Sequence, residues 1–219
     1  MPQPAPSSRT RLGRHPERGD FDRGTIDAIL DEALVCHVGF VHDGAPVVVP
    51  TLHARLGDVL YLHGSPVSRM VTTLAGGCEL CLSATLVDGL VLARSVFDHS
   101  VNYRSVMVFG RARLVDDPAE KLAALEAFTE HVTPGRWGDA RTPNERELKA
   151  TSVLAVPLDE ASAKVRSGPP GDDRVAEGTS VWAGVVPLRT VAGPPEAAVG
   201  VPEGSELPVY VEAYLRDHA

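Results

Sequence analysis

Between residues 34 and 115 the chain is a run of short apolar segments cut by tight-turn signals, with one helix start among them. That pattern leaves few folds open. Residues 34–41 read as a strand, and His42-Asp43-Gly44-Ala45 as a turn in which Gly44 can take a positive φ. Residues 46–54 form the next strand, and Leu56-Gly57-Asp58 turns the chain into a third at 59–63. Residues 79–87 and 90–96 are expected to pair as a hairpin across Asp88-Gly89. Residues 97–102 read as a loop and 103–115 as a long strand. Short strands, tight turns and a single interposed helix predict a mainly β, α+β architecture built on a small antiparallel barrel.

Helices flank this region. Residues 25–33 are amphipathic, with Ile26, Ile29 and Leu30 on one face. Asp117-Pro118-Ala119-Glu120 carries both capping-box residues and Pro at the first helical position. Leu122, Leu125, Phe128 and Val132 then form an apolar stripe. Thr142-Pro143-Asn144-Glu145 repeats the start signal for a helix ending near Ala150, and 152–158 is the last clear strand of the barrel. Beyond it, 167–180 and 193–208 are rich in Gly, Pro and Asp, with a strand-like piece at 181–188 between them. The expected organisation is a flexible N-terminal arm at 1–21, a binding domain at 22–166 and a C-terminal extension at 167–219 packing on it.

The net charge of −8 argues against a general nucleic-acid partner. No apolar run approaches membrane-spanning length, so no membrane partner is expected. Residues 1–20 are rich in Pro, Ser and Arg and lack the apolar stretch of a secretory signal, and the expected location is cytoplasmic. Of three cysteines, Cys36 sits in an apolar strand. Cys78 and Cys81 form a CxxC pair that no second pair or His spacing completes as a zinc site. Core packing is the expected role.

Chemistry is concentrated in Leu60-Tyr61-Leu62-His63-Gly64-Ser65-Pro66-Val67-Ser68-Arg69-Met70. A strand stops at Gly64 and a helix over 66–74 is expected at once, with Ser65 as N-cap and Pro66 at the first position. The amides of Val67, Ser68 and Arg69 would then leave the helix end without intrahelical partners. With the Ser65 and Ser68 hydroxyls and the Arg69 guanidinium they offer a place for a dianionic phosphate. An ordinary capped helix with an exposed Arg is the plain alternative.

Three segments together resemble the pyridoxamine 5'-phosphate oxidase-like family of FMN-binding split barrels, closest to its nitroimidazole-resistance branch. They are Asp43-Gly44-Ala45-Pro46 with Val49-Pro50-Thr51; Tyr61 to Arg69; and Asn102-Tyr103-Arg104-Ser105-Val106-Met107-Val108-Phe109-Gly110-Arg111-Ala112. The resemblance covers about residues 22–158. It implies a split antiparallel β-barrel and a homodimer with FMN in the cleft between subunits. It implies a flavin-dependent oxidoreductase that reduces a small organic acceptor, a nitro compound among the candidates. By the same resemblance Ser68 and Arg69 hold the FMN phosphate, Val49, Pro50 and Thr51 face the ring, and Arg104 and Ser105 supply phosphate or ring contacts. The oxidase proper continues Ser-Arg with Lys, whereas Met70 stands here; Arg94, Lys164 or Arg166 could replace that charge. No counterpart of the oxidase's C-terminal Arg-Leu-Pro segment is visible, which argues against pyridoxamine phosphate as substrate.

Several residues admit two readings. His63 ends a strand beside the phosphate segment and is either an acid–base or flavin-contacting group or a rim histidine bonded to backbone. His37 alternates with Cys36 and Val38 and points away from their face. His99 lies in a loop at a plausible cleft rim. Lys164 and Arg166 share a face if extended, clamping an anion or lying along a solvated edge. Trp182 stacks on a ring or fills the core. No Gly-rich dinucleotide motif follows a strand, so NAD(P)H would dock only transiently. The rival to an enzyme is a non-catalytic carrier or sensor of FMN, deazaflavin or haem, with His63 or His99 as haem ligand.

Overall fold

The computed structural model describes residues 5–171, 180–202 and 204–218, and its strands fall into two antiparallel sheets. The larger runs, in spatial order, β1 (Gly19–Asp20), β10 (Glu160–Arg166), β7 (Ser100–Arg111), β6 (Glu79–Leu92), β2 (Val35–His42) and β3 (Ala45–Leu52). Within it β11 (Gly184–Pro187) lies beside the C-terminal part of β6. The smaller runs β4 (Ala54–Leu56), β5 (Val59–Gly64), β9 (Ser152–Pro157) and β8 (Arg113–Leu114). Five helices flank them: α1 (Arg23–Glu32), α2 (Arg69–Ala75), α3 (Pro118–Val132), α4 (Glu145–Ala150) and α5 (Val209–Asp217). This is a mainly β split barrel with flanking helices.

Alternation along the strands builds two apolar layers. Val38, Leu82, Val106 and Val108 of the large sheet meet Leu60, Leu62, Leu154 and Val156 of the small one, closed at the ends by Ile29 and Leu30 of α1 and Met70 and Leu74 of α2. The other face of the small sheet, with Ala54, Tyr61 and Val153, packs on Ala124 and Phe128 of α3. Cys36 is fully buried, and burial pushes its thiol up to about 12, so it packs as a small apolar side chain. His37 is on the outward face, as the alternation requires.

The strands expected at 46–54 and 103–115 are each broken in two. The breaks fall at His53 and Ala112, where the chain leaves the large sheet and continues in the small one. The hairpin expected across Asp88-Gly89 does not form. β6 runs through it as one strand with a bulge between Val87 and Gly89, and it pairs with β7 through the connection at 93–99. Asp88 is instead held by Arg104, and Gly89 gives β11 close approach. A Cβ there would lie 3.0 Å from the Val186 carbonyl oxygen. A tenth strand follows β9, where the sequence was expected to have finished the barrel; β10 pairs with β7 along its whole length.

The N-terminal segment is not a loose arm over its described part, since Gly19 and Asp20 pair with Lys164 and Ala163 as an edge strand. The expected stretch at 167–180 lies partly outside the described residues. Trp182 is 63% exposed rather than core, its ring lying over Gly184. Among the described residues no helix is long and apolar enough to cross a membrane.

His53 is the one fully buried imidazole of the described chain. Its Nε2–H donates to the Leu30 carbonyl at 2.9 Å, and burial depresses the imidazole pKa to about 4, below its usual range. An unfolded imidazole titrates near 6.5, so between those values the unfolded state binds the extra proton. Stability is therefore present above about pH 6.5 and falls as pH drops toward 4, by on the order of 3 kcal/mol in all. Urea midpoints measured across this window should fall with acidification in the wild type and fall less in His53→Gln. Parallel wild-type and variant profiles would show that His53 carries none of the dependence.

Candidate functional site

β5 ends at Gly64 and α2 starts at Arg69, so the chain spends Ser65 to Ser68 in a turn rather than in the helix start expected at Pro66. Ser68, not Ser65, is the N-cap; its Oγ accepts from the Val71 amide at 3.3 Å. The Ser68 amide donates to the Ser65 carbonyl at 2.9 Å and is therefore spent inside the turn. Gly64 permits this tight return: a Cβ there would sit 3.1 Å from Val71 Cγ2 and 3.4 Å from Ser68 Oγ. Arg69 is exposed and, among the described residues, pairs with no carboxylate. Met70 turns into the core with Val71 and Leu74, so a lysine at this place would bury its ammonium. What the segment presents is the Ser65–Ser68 turn and, at its end, the exposed Arg69 guanidinium.

β3 is the edge strand of the large sheet on this side, pairing only with β2. Of its three expected ring contacts, Val49 and Thr51 pair with Val38 and Cys36 and share one face, while Pro50 pairs with His37 on the other. Only two of the three can look the same way.

His63 lies one residue before Gly64 on β5. It shares the α3-facing side with Tyr61, and its ring meets Phe128 edge-on with centroids 4.4 Å apart. Nδ1 is buried and has no hydrogen-bond partner, and burial holds the imidazole below its usual range, so it is neutral near pH 7. His53 Nδ1 shares this condition, and of the two readings of His63 the backbone-bonded one is not met at Nδ1.

The remaining expected site residues lie elsewhere. Arg104 is clamped by Glu32 and Asp88, with 2.7 Å from Nη2 to Glu32 Oε1 and 2.8 Å to Asp88 Oδ1. These bonds push its pKa up and leave the guanidinium to join α1 to β6 and β7. Ser105 donates to the Lys164 carbonyl, and Lys164 Nζ to the Arg14 carbonyl at 3.4 Å. Arg166 bonds Asn102 Oδ1 and the Pro169 carbonyl. β10 is separated from β3 by β7, β6 and β2, and the Lys164 and Arg166 side chains are bonded on that far side of the sheet.

His99 is exposed at the other end of β6, and its Nδ1 lies 3.0 Å from the Ser95 carbonyl. With that nitrogen donating, the Nε2 lone pair faces outward, the tautomer a metal-ligating histidine needs. Val96 and Phe97 beside it are 90% and 89% exposed, an apolar tip with nothing in this chain covering it among the described residues. Sequence alone marked His99 as a loop histidine; the exposed pair before it is visible only in the fold.

Comparison with known proteins follows this geometry. The family model described as pyridoxamine 5'-phosphate oxidase matches residues 22–165. None of the curated proteins matches significantly. Among solved structures, the flavocytochrome Anf3 from Azotobacter vinelandii is 39% identical, with a TM-score of 0.89, over 95% of this chain and 97% of that one. An FAD and heme binding protein from Mycobacterium smegmatis is 38% identical, with a TM-score of 0.85, over 90% of this chain and 97% of that one. A putative 5-nitroimidazole antibiotic resistance protein from Bacteroides thetaiotaomicron is 28% identical, with a TM-score of 0.58, over 67% of this chain and 86% of that one.

Arg104 offers a clean test of this geometry. Arg104→Leu should lower stability by about 1–2 kcal/mol, a figure discounted for partial exposure, since Glu32 and Asp88 would face each other uncompensated. Affinity for a flavin should not change. A loss of flavin binding at unchanged stability would return Arg104 to the site.

Proposed function

Because the chain belongs to the pyridoxamine 5'-phosphate oxidase family, we propose that it is a flavin- and haem-binding oxidoreductase that passes electrons from a reduced donor to a small organic acceptor. The observation that carries this reading is the extent of the likeness. The flavocytochrome and the FAD and heme binding protein follow this chain over 95% and 90% of its length, whereas the nitroimidazole-resistance protein follows 67%. The chain has a match in the two flavin–haem proteins well beyond the family core.

In this reading Ser65, Ser68 and Arg69 hold the flavin phosphate, with Val49 and Thr51 of the β3 edge against the ring. The bound flavin supplies two-electron and one-electron redox chemistry and the haem supplies one-electron transfer. In this reading His63, one residue before Gly64 and a neutral imidazole, passes a proton to a reduced acceptor. His99 is the proposed haem ligand: its outer nitrogen bears a lone pair, its inner one is fixed by Ser95, and Val96 and Phe97 give a porphyrin edge an apolar cover. Pro50 and Val48 lie on the outward face beside His37, and Val48 is 65% exposed. We take this face as the seat of a second copy, which would close the cleft in a homodimer.

The absorption spectrum of protein produced with flavin and haem supplied tests the reading. Flavin bands and a Soret band are expected. His99→Ala should lose the Soret band and keep the flavin. Arg69→Ala should weaken flavin binding roughly 10- to 100-fold, the effect of losing a charge-assisted bond. His63→Ala should retain both chromophores and slow acceptor reduction on the order of 10²-fold. A Soret band that survives in His99→Ala and disappears in His63→Ala would move the iron to His63. Absence of both chromophores in the wild type would overturn the function.

A further inference from the structure

A cavity of about 220 Å³ lies between the N-terminal segment and the outward face of β7 and β10, across the large sheet from Arg69. Its walls are one-sided in charge. Arg9, Arg11, Arg14 and Lys164 line it together with Ser105 and Ser162, and no carboxylate does. Arg9 is neutralised by Glu160 and Glu79. Arg11, Arg14 and Lys164 pair with no carboxylate among the described residues. Asp20, next to β10, is turned to the Thr25 hydroxyl at 2.7 Å and the Asp22 amide at 2.8 Å. Arg18 and Arg166 crowd the same edge: the charge of Arg18 adds to burial in lowering Arg166. In a chain of net charge −8 this concentration of cations is a local exception.

The segment that carries Arg11 and Arg14 is tied down at its backbone. Thr10 is 2% exposed; its hydroxyl donates to the Ser7 carbonyl at 2.9 Å and accepts from the Ser7 amide at 3.0 Å. The Arg9 guanidinium lies 5.5 Å from the Phe109 ring centroid, and Lys164 Nζ reaches the Arg14 carbonyl. Unpaired cations gathered around one cavity repel each other, and an anion entering it relieves that repulsion. At this size the space has room for a phosphate or diphosphate group. Leu12 and Met107 add an apolar wall.

We propose that this cavity binds the phosphate or diphosphate group of a nucleotide, with Arg11, Arg14 and Lys164 as its cationic contacts. Two sources share that chemistry: a diffusible nucleotide such as a reduced dinucleotide donor, or the diphosphate of a flavin dinucleotide reaching over from a second copy. The second source alone rests on the flavin reading.

Calorimetric titration of inorganic pyrophosphate into the full-length protein tests it. The protein is used as purified and after flavin removal, as wild type and as the Arg11→Ala/Arg14→Ala variant, with the flavin spectrum recorded on each sample. Both arginines are exposed, so the fold should be untouched. If pyrophosphate binds the protein as purified and the variant binds it at least about tenfold more weakly, the site exists and takes a diffusible ligand. If it binds only the flavin-free form, and the variant weakens FAD about tenfold but not riboflavin, the site takes the flavin's own diphosphate. Pyrophosphate that binds neither form, or binds variant and wild type equally, overturns the proposal. A protein with no flavin at all would sink the functional reading, while the pyrophosphate titration would still decide this cavity.

Discussion

His53 bends the chain out of the large sheet and into the small one, and its buried ring donates to the Leu30 carbonyl at the C-terminal end of α1. On its other side it meets His131 of α3, ring centroids 5.1 Å apart, and His131 in turn lies 3.1 Å from the Ala33 carbonyl. One imidazole pair therefore fixes a sheet corner, the end of α1 and the C-terminal half of α3. The placement of α3 decides that Phe128 covers His63, and the corner starts β4, which pairs with β5, the strand that ends at Gly64 before the Ser65–Ser68 turn. The site is a consequence of where the strands change sheets.

That dependence explains what the sequence could and could not tell. Local signals were sufficient where the chemistry is local: the α1 stripe of Ile26, Ile29 and Leu30, the Asp43-Gly44 turn with both residues at positive φ, and the Asn144 capping box with Glu147. They misled where a distant partner outbid them. Asp88-Gly89 has the composition of a hairpin turn, yet Arg104 claims the Asp88 carboxylate and β11 needs the bare Gly89. Glu120 has the place of a capping-box residue at the start of α3, yet its carboxylate takes the Tyr61 hydroxyl at 2.8 Å and Arg113. Strand β10 escaped notice because Ala161, Ser162 and Ala163 are small residues with little strand signature; they are buried only because β7 and β1 flank them.

The candidate site was half legible. Ser68, Arg69 and His63 fall together because they are close in sequence, while Arg104, Lys164 and Arg166 are drawn off into structural bonds or to the far sheet edge that no local reading could foresee. Cations without a carboxylate partner accordingly stand in two places that matter here. Arg69 stands alone by the turn, and Arg11, Arg14 and Lys164 gather under the N-terminal segment. Met70 makes sense in this division, since its position points into the core and could never have carried the second charge of the phosphate clamp.

The proposed function requires that a flavin and a haem held by this chain exchange electrons. An anaerobic titration with NADPH, following the flavin absorbance and the haem α-band in the same sample, tests it most directly. The account predicts that the flavin band bleaches and the ferrous haem band grows in the same titration, with His99→Ala keeping only the first change. A haem that stays ferric after the flavin is fully reduced, at any donor excess, would contradict it.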